Sequence, residues 1–364
     1  MKNKNWLIGI VAMLSMLLGA GGVYYLVVEE GVLSKPIINK LEKEVTVNEN
    51  GIADAVEKLY DAVVVVGAYK NNVLAAGGTG FVYKIEGNTA YILTNSHVVI
   101  GASKVTIQFT DNNTYEATLV GQDEYADIAV LSIPKDKIIA VSEIGSSENA
   151  RLGDTLFTIG APLDIEYSWT VTRGILSGKD RLVEISTSNS AKSDWAMKVL
   201  QTDAAINSGN SGGPIANSNG EVIGVTNMKL ISSGVEGIAF AIPIEDAISI
   251  AKELITGKKI ERPVLGVGTL NVSETNSLTQ NGIKLEENIN TGAVIAYIQP
   301  GSVAEEAGLK KGDVITKLGD YNINSSAILK YYLYKYKIGD KVKVTYIRGA
   351  KTETTTITLS QKAT

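Results

Sequence analysis

Short β-branched segments follow one another along the chain from residue 62 onward, and they constrain its fold more than any other feature. Glycine, asparagine and aspartate clusters separate each segment from the next. Regularly spaced short strands of this kind are typical of antiparallel sandwiches and barrels. The segments lie at 63–66, 80–83, 91–94, 105–109, 114–120, 155–159, 199–202 and 222–225. A clear helical pattern occurs only at 244–256. Because the strand pattern covers much more of the sequence, the chain is predicted to be mostly β.

The composition excludes several chemistries. The chain has 364 residues, of which 45% are apolar, and it carries no cysteine, one histidine and a net charge of −5. Thiolate zinc sites, cysteine nucleophiles and multi-histidine metal sites are therefore excluded. The negative balance argues against general nucleic-acid binding. No cofactor and no metal are expected.

The N-terminus carries an uncharged apolar segment at 6–28, with two lysines before it and two glutamates after it. Its length is enough to span a bilayer. The charge order predicts a cytoplasmic N-terminus and places the rest of the chain outside the membrane. The alternative is a cleaved signal peptide, because small residues at 18–22 could supply a cleavage site. We expect an uncleaved transmembrane anchor.

Composition shifts divide the remainder of the chain. The polar segment 29–50 is interpreted as a stalk, and a β-rich domain is predicted at 51–257, beginning with a short amphipathic helix. A linker follows at 258–263, where charges and a proline come directly after a glycine. The last segment, 264–360, has the length of one small domain.

A glycine-rich segment, Gly209-Asn210-Ser211-Gly212-Gly213-Pro214, contains the candidate nucleophile Ser211. A serine hydroxyl is a weak nucleophile and needs a neighbouring base. The glycines allow a tight bend in which the N–H groups of Gly209 and Ser211 could converge. Such a pair of donors would form an oxyanion hole for a tetrahedral intermediate.

His97 is the sole imidazole, so it is the candidate base for such a serine. Asp127 is the candidate for orienting it, because the apolar run 128–131 follows at once and would partly bury the carboxylate. The nearby competing carboxylates are those of Asp123, Glu124 and Asp136. His, Asp and Ser then occur in the order found in the chymotrypsin class, with spacings that suit one barrel supplying His97 and Asp127 and a second supplying Ser211.

The chain resembles the HtrA (DegP/DegS-like) family of trypsin-fold serine proteases. The matching segments are 78–81, 94–99, 127–131, 201–214 and 237–243. The resemblance implies an all-β double barrel with the site between the barrels, and the roles of base, orienting group and nucleophile for His97, Asp127 and Ser211. It further implies a bacterial, extracytoplasmic endopeptidase that cleaves misfolded or unfolded proteins and assembles as trimers.

Two positions refine this resemblance. Asn210 stands where digestive relatives carry an aspartate that pairs with a newly cut N-terminus, so activation by propeptide cleavage is not expected. Ala205 stands six residues before the nucleophile, where trypsin places its specificity aspartate. We therefore expect a small or medium aliphatic side chain before the cut, with Met228 and Lys229 bordering the pocket.

The C-terminal segment resembles a PDZ domain, a small α+β fold. The matching segments are 264–267, 292–295, 300–304, 307–315 and 326–337. By this resemblance a peptide adds to an exposed sheet edge, and the N–H groups of Leu265, Gly266 and Val267 hold its C-terminal carboxylate. C-terminal peptides are the expected partners. The alternative is a small domain used only for packing.

The polar stretch 177–197 is predicted to be a long loop between strands, and by resemblance Arg181 is a candidate for a regulatory role in it. Two other functions are alternatives to a protease. A chaperone or scaffold would bind unfolded chains without cutting them, although it would usually lack a triad residue. A lipase or esterase is disfavoured, because no helix is predicted directly after Ser211.

Overall fold

The computed structural model describes residues 4–25, 50–161, 167–185, 195–227 and 237–362. The chain divides into two units, Met1–Asn48 and Glu49–Thr364. In the first unit the described residues form helix α1 (Lys4–Tyr24). Its segment Trp6–Tyr24 has a mean hydropathy of 2.0 and is long and apolar enough to cross a membrane. The predicted stalk lies outside the described residues up to position 49.

The second unit begins with helix α2 (Asn50–Tyr60), which confirms the short amphipathic helix predicted there. Its buried residues Ala55 and Leu59 join a core that also contains Phe81, Phe157 and Val222. Because the side chains of this core come from strands of both halves of the domain, α2 helps to hold those halves together.

The first closed barrel follows α2 and has the strand order β1-β2-β3-β6-β5-β4. All of its pairings are antiparallel. The strands are β1 (Val63–Lys70), β2 (Val73–Glu86), β3 (Thr89–Thr94), β4 (Lys104–Gln108), β5 (Thr114–Asp123) and β6 (Ile128–Pro134). A single-turn helix, α3 (Ser96–Val99), connects β3 to β4.

The second closed barrel has the order β10-β11-β12-β9-β8-β7. Its strands are β7 (Thr155–Gly160), β8 (Thr170–Ile185), β9 (Trp195–Thr202), β10 (Pro214–Asn217), β11 (Val222–Thr226) and β12 (Ala239–Pro243). Helix α4 (Ile244–Ile255) follows and confirms the helix predicted at 244–256. The expected pair of β-barrels is thus confirmed.

The predicted loop at 177–197 is wrong for the described residues of that stretch. Strands β8 and β9 continue as a paired ribbon, with Leu182 opposite Lys198 and Ile185 opposite Trp195. Arg181 therefore lies in a strand, opposite Val199, just after an irregularity that begins at Gly178. The β8 residues of the ribbon are partly exposed, and exposed strands do not need the apolar alternation by which a half-buried strand is recognised. On the β9 side, Trp195, Ala196 and Met197 are buried, so the polar character of the ribbon lies in β8.

The C-terminal domain is a sheet of order β13-β14-β15-β17-β18, with β16 paired to β15, and three helices. The strands are β13 (Val267–Asn271), β14 (Ala293–Ile298), β15 (Val314–Leu318), β16 (Tyr321–Asn322), β17 (Lys341–Arg348) and β18 (Lys351–Thr358). The helices are α5 (Thr275–Gln280), α6 (Val303–Glu306) and α7 (Ser326–Leu333). This arrangement confirms the small α+β domain.

Candidate active site

His97 and Asp127 meet at one end of the first barrel. His97 lies in α3, directly after β3, and Asp127 directly precedes β6. Because β3 and β6 pair with Thr94 opposite Ala129, their ends carry both side chains to the same place. His97 Nδ1 lies 2.7 Å from Asp127 Oδ2, and the His97 backbone N–H donates to Asp127 Oδ1 at 2.9 Å. This geometry fixes the orientation of the imidazole.

The Asp127 carboxylate is held from several sides. Its side chain is 3% exposed, whereas that of His97 is 30% exposed. Asn227 Nδ2 donates to Asp127 Oδ2 at 2.8 Å, and Asn95 Nδ2 donates to the Asp127 carbonyl at 2.8 Å. The φ of Asp127 is +52°, a left-handed conformation that costs a non-glycine residue roughly 1–3 kcal/mol. The surrounding hydrogen bonds stabilise this strained backbone.

Sequence patterns do not single out Asn95 and Asn227. An asparagine at the end of a strand is most simply interpreted as a turn residue, and Asn227 lies 100 positions away from Asp127 in the chain. The two asparagines reach the aspartate because Asn95 follows β3 and Asn227 follows β11, strands that the fold brings to one region.

The competing carboxylates are engaged elsewhere or exposed. Asp123 forms an ion pair with Arg262, and Asp136 lies on the surface in a single 3-10 turn. Glu124 is exposed as well. Among all the candidate carboxylates, Asp127 is the one for which the structure shows a contact with His97.

Ser211 lies in the glycine-rich segment before β10, and this segment is docked on the first barrel. The Thr79 N–H donates to the Ser211 carbonyl at 2.9 Å, and Ser211 is 4% exposed. Gly212 has φ +84°, and a Cβ there would lie 2.3 Å from both the Thr79 carbonyl oxygen and Thr94 Oγ1 and 2.8 Å from the Asn95 nitrogen. A glycine is required at 212, because a side chain would push Ser211 away from the strand end that leads to His97.

The backbone around Gly209 suits an anion site. Gly209 has φ +102°, and its carbonyl accepts a hydrogen bond from Thr79 Oγ1 at 2.7 Å. The N–H groups of Asn210, Gly212 and Gly213 all donate to protein carbonyls. Within the described residues, no hydrogen bond from the Gly209 N–H is found.

Asn210 is buried, and neither its Oδ1 nor its Nδ2 has a hydrogen-bond partner in the part of the chain that the structure describes. The side chain packs against Gly160, where a Cβ would come within 2.4 Å of Asn210 Oδ1. A neutral amide occupies this position beside the nucleophile, so no buried carboxylate here requires a charged N-terminus as its partner.

The expected specificity pocket is described in part. The Ala205 carbonyl accepts a hydrogen bond from Thr172 Oγ1 at 2.8 Å, which ties the segment before Ser211 to β8. Met228 and Lys229, predicted to border the pocket, lie outside the described residues.

The second candidate site is a groove of about 900 Å³ in the C-terminal domain, between β13 and α7. Leu265, Gly266 and Val267 line one end, and Leu329 and Leu333 of α7 form an apolar wall. Strand β13 is at the edge of its sheet. The Leu265 and Gly266 N–H groups donate to no protein acceptor among the described residues, so the groove offers a strand edge and free donors together.

Aromatic side chains join the barrels to α7. Trp195 of β9 lies 5.1 Å from Tyr125 and 5.3 Å from Tyr334, measured between ring centroids. Burial, reinforced by Tyr125, raises the pKa of Tyr334 above its usual value. Ser325, which caps the N-terminus of α7, donates to Glu184 Oε1 of β8 at 2.6 Å. The helix that lines the groove is therefore in direct contact with the second barrel.

These features define a class of protein: a trypsin-like peptidase fold followed by one peptide-binding domain. Comparison with family models agrees, because a trypsin-like peptidase domain matches residues 78–225 and a PDZ domain matches residues 263–359. A curated relative, the serine protease Do-like HtrB of Bacillus subtilis, is 38% identical over 86% of this chain and 72% of its own length. The chain belongs to the HtrA family of serine proteases.

Solved structures agree with this assignment. The serine endoprotease from Yersinia pestis superposes with a TM-score of 0.65 at 27% identity, covering 86% of this chain and 98% of its own. The HtrA-type protease AlgW with a decapeptide gives a TM-score of 0.65 at 26% identity, covering 84% of this chain and 97% of its own.

Proposed function

We propose that this chain is a serine endopeptidase in which His97 is the general base, Asp127 orients it and Ser211 is the nucleophile. The observation that carries the proposal is the bond between His97 Nδ1 and Asp127 Oδ2 at 2.7 Å. It is supported by the docking of the Ser211 segment on the same end of the first barrel. His97 Nδ1 donates to Asp127, which leaves Nε2 as the acceptor that a general base requires.

In the first half of the proposed reaction, Ser211 Oγ attacks the scissile carbonyl carbon while His97 Nε2 takes the hydroxyl proton. The carbonyl oxygen becomes an oxyanion that the Gly209 and Ser211 N–H groups stabilise. The carbon–nitrogen bond then breaks, and His97 gives its proton to the leaving amine. In the second half, a water loses a proton to His97 and attacks the acyl-enzyme carbonyl carbon. The bond to Ser211 Oγ then breaks, His97 returns the proton to that oxygen, and the acid product leaves.

The proposed substrates are misfolded or unfolded proteins outside the cytoplasm. The apolar helix α1 supports a membrane anchor with the catalytic and PDZ domains on the extracytoplasmic side of a bacterial membrane. The proposed division is an anchor at 6–28, a stalk at 29–50, a protease domain at 51–257, a linker at 258–263 and a PDZ domain at 264–360. Ala205 supports cleavage after small or medium aliphatic side chains.

We further propose that C-terminal peptides regulate the protease by binding in the PDZ groove, with their carboxylates held by Leu265, Gly266 and Val267. The free N–H groups of Leu265 and Gly266 and the decapeptide present in the AlgW structure support this. Arg181 is proposed to take part, because its strand also carries Glu184, the partner of the α7 cap. A trimer is proposed on the family resemblance.

The direct test compares full-length wild type with Ser211→Ala in detergent micelles, using an unfolded protein such as casein. We expect the substitution to lower the cleavage rate by about 10⁴-fold or more, because the nucleophile is removed. Fluorescence anisotropy with a C-terminal peptide should give the same Kd for both proteins, and an amidated peptide should bind more weakly to both. Undiminished cleavage by Ser211→Ala would refute the assignment of Ser211 as the nucleophile. If the wild-type protein bound the peptide but did not cleave casein, a chaperone function would be favoured.

A further inference from the structure

A buried ion pair joins the linker before the PDZ domain to the first barrel. Arg262 Nη1 donates to Asp123 Oδ2 at 2.6 Å and Arg262 Nη2 donates to Asp123 Oδ1 at 2.8 Å. The side chains of Arg262 and Asp123 are 12% and 7% exposed. Two parallel charge-assisted bonds fix both position and angle, so the linker is attached to this point of the barrel with a defined geometry.

Asp123 also shapes the turn that leads to the catalytic candidate. It is the last residue of β5, and its Oδ1 accepts a hydrogen bond from the Ala126 N–H at 2.7 Å. Asp127, which follows Ala126 in the chain, has the strained φ of +52°. The carboxylate of Asp123 thus closes a turn whose far end sets the direction of the Asp127 side chain.

The same guanidinium also contacts the PDZ domain. Arg262 Cζ lies 5.2 Å from the ring centroids of both Tyr125 and Tyr334. Tyr125 belongs to the turn, and Tyr334 follows α7 directly and lines the peptide groove. A guanidinium within this distance of aromatic rings is attracted to them. Arg262 therefore contacts both the Asp123 turn and the residue that ends the groove helix.

We propose that Arg262 is a positioning residue for the protease reaction: with the PDZ helix packed on it, it holds the Asp123 turn in the shape that directs Asp127 at His97. This inference rests on the proposed triad. Removing the guanidinium leaves the Asp123 carboxylate buried without its counter-ion, and the turn must then move to hydrate it. Asp127 moves with the turn, and the imidazole loses its fixed orientation.

A second ion pair in the chain provides a matched control. Arg348 donates to Asp313 through Nε and Nη2, both at 2.7 Å, and the Asp313 side chain is as buried as that of Asp123. The hydrogen bond to Asp313 raises the pKa of Arg348 above its usual value. This pair lies in the PDZ domain, where Asp313 directly precedes β15 and Arg348 is the last residue of β17. Loss of either pair should lower stability, but only loss of Arg262 should affect catalysis.

The experiment uses the full-length chain in detergent micelles, with the variants Arg262→Ala, Arg262→Lys and Arg348→Ala. For cleavage of an aliphatic peptide substrate, we expect Arg262→Ala to lower kcat by about tenfold to 100-fold and to leave KM within about threefold, since misplaced catalytic groups cost rate more than binding. Arg262→Lys keeps the positive charge but loses the two parallel hydrogen bonds of the guanidinium. Its kcat should therefore lie between those of the wild type and Arg262→Ala. Arg348→Ala should keep the wild-type kcat.

A spectroscopic readout separates positioning from stability. Because His97 is the sole histidine, selective ¹⁵N-histidine labelling reports the Nδ1–H proton bonded to Asp127 without any ambiguity of assignment. We expect its downfield resonance in wild type and Arg348→Ala, and its loss or shift in Arg262→Ala.

Wild-type kcat and an unchanged resonance in folded Arg262→Ala would overturn the proposal. If circular dichroism shows that Arg262→Ala is unfolded, Arg262→Lys decides, and a wild-type kcat in that variant would likewise overturn it. Equal losses of kcat in Arg262→Ala and Arg348→Ala would also overturn it, because the effect would then be structural. Cleavage by Ser211→Ala would instead show that the proposed triad is at fault.

Discussion

The two barrels hold their parts of the candidate site in different ways. In the first barrel, both carboxylate oxygens of Asp127 accept hydrogen bonds, from His97 and Asn227. In the second, the buried amide of Asn210 beside Ser211 has no partner within the described residues. There the segment is fixed by its backbone bond to Thr79 and by the shape that glycine allows. Hydrogen bonds to a side-chain carboxylate thus hold the base, whereas the nucleophile segment is held through its backbone carbonyl groups, which also accept from Thr79 Oγ1 and Thr226 Oγ1.

The largest expected effect comes from disrupting the contact of Asp127 with His97 in the first barrel. Asp127→Asn should lower kcat by about 10⁴-fold, because an amide at this position favours the imidazole tautomer whose acceptor faces away from the serine. Steady-state kinetics on a peptide substrate measures it, with circular dichroism to show that the fold is kept. A loss of less than about tenfold would mean that His97 keeps its orientation without this carboxylate.

Gly212→Ala disrupts the glycine-rich segment that carries Ser211. The added methyl group would lie 2.3 Å from the Thr79 carbonyl oxygen, at a φ of +84°. We expect kcat to fall by about 100-fold, because Ser211 is displaced, and the free energy of unfolding to fall by about 2–4 kcal/mol. Urea denaturation and kinetics give the two values.

The matched control for that variant is Gly153→Ala. Gly153 has φ +92°, but a Cβ there meets nothing within 4 Å. It should therefore show the cost of the backbone conformation without the loss of activity. Equal losses of activity in the two variants would show that backbone strain, rather than docking on the first barrel, explains the result.

The smallest effect concerns a carboxylate away from the site, that of Glu245. Its Oε1 accepts hydrogen bonds from Ser146 Oγ and the Ser147 N–H, both at 2.8 Å, and its Oε2 accepts from Ser147 Oγ at 2.5 Å. Burial acts to raise the pKa of Glu245, but the hydrogen bonds from Ser147 and Ser146 outweigh it, so the pKa is lowered from 4.5. We expect Glu245→Gln to destabilise the protein by about 1–2 kcal/mol and to leave kcat unchanged.

The pH dependence of this effect has a definite sign. A carboxyl with a lowered pKa in the folded state adds stability above its unfolded value of 4.5 and loses it as the pH falls through the folded value. The difference in unfolding free energy between wild type and Glu245→Gln should therefore shrink below pH 4.5, as measured by urea denaturation across that range. A difference that grows on acidification would contradict the hydrogen bonds assigned to Glu245.

Local patterns were sufficient for short antiparallel strands, because the buried runs at 128–131 and 222–225 carry the apolar signal by which strands are recognised. The two barrels were predicted from the family resemblance, since the strand pattern alone also fits a sandwich. Local patterns failed for the β8–β9 ribbon, because the partly exposed β8 residues of the ribbon lack that signal. They also could not find Asn227 or the pair of Asp123 with Arg262, which lie 139 positions apart. Such partners become visible only when the closed barrels and the linker bring them together.

The most direct test of the central claim is covalent labelling of the full-length protein with a fluorophosphonate, which reacts with an activated serine hydroxyl. Intact-mass and peptide mass spectrometry should show one adduct per chain, located on Ser211, and none on the same timescale in His97→Ala. An adduct on a different residue, or labelling of His97→Ala at the wild-type rate, would contradict the assignment of His97 as the base that activates Ser211.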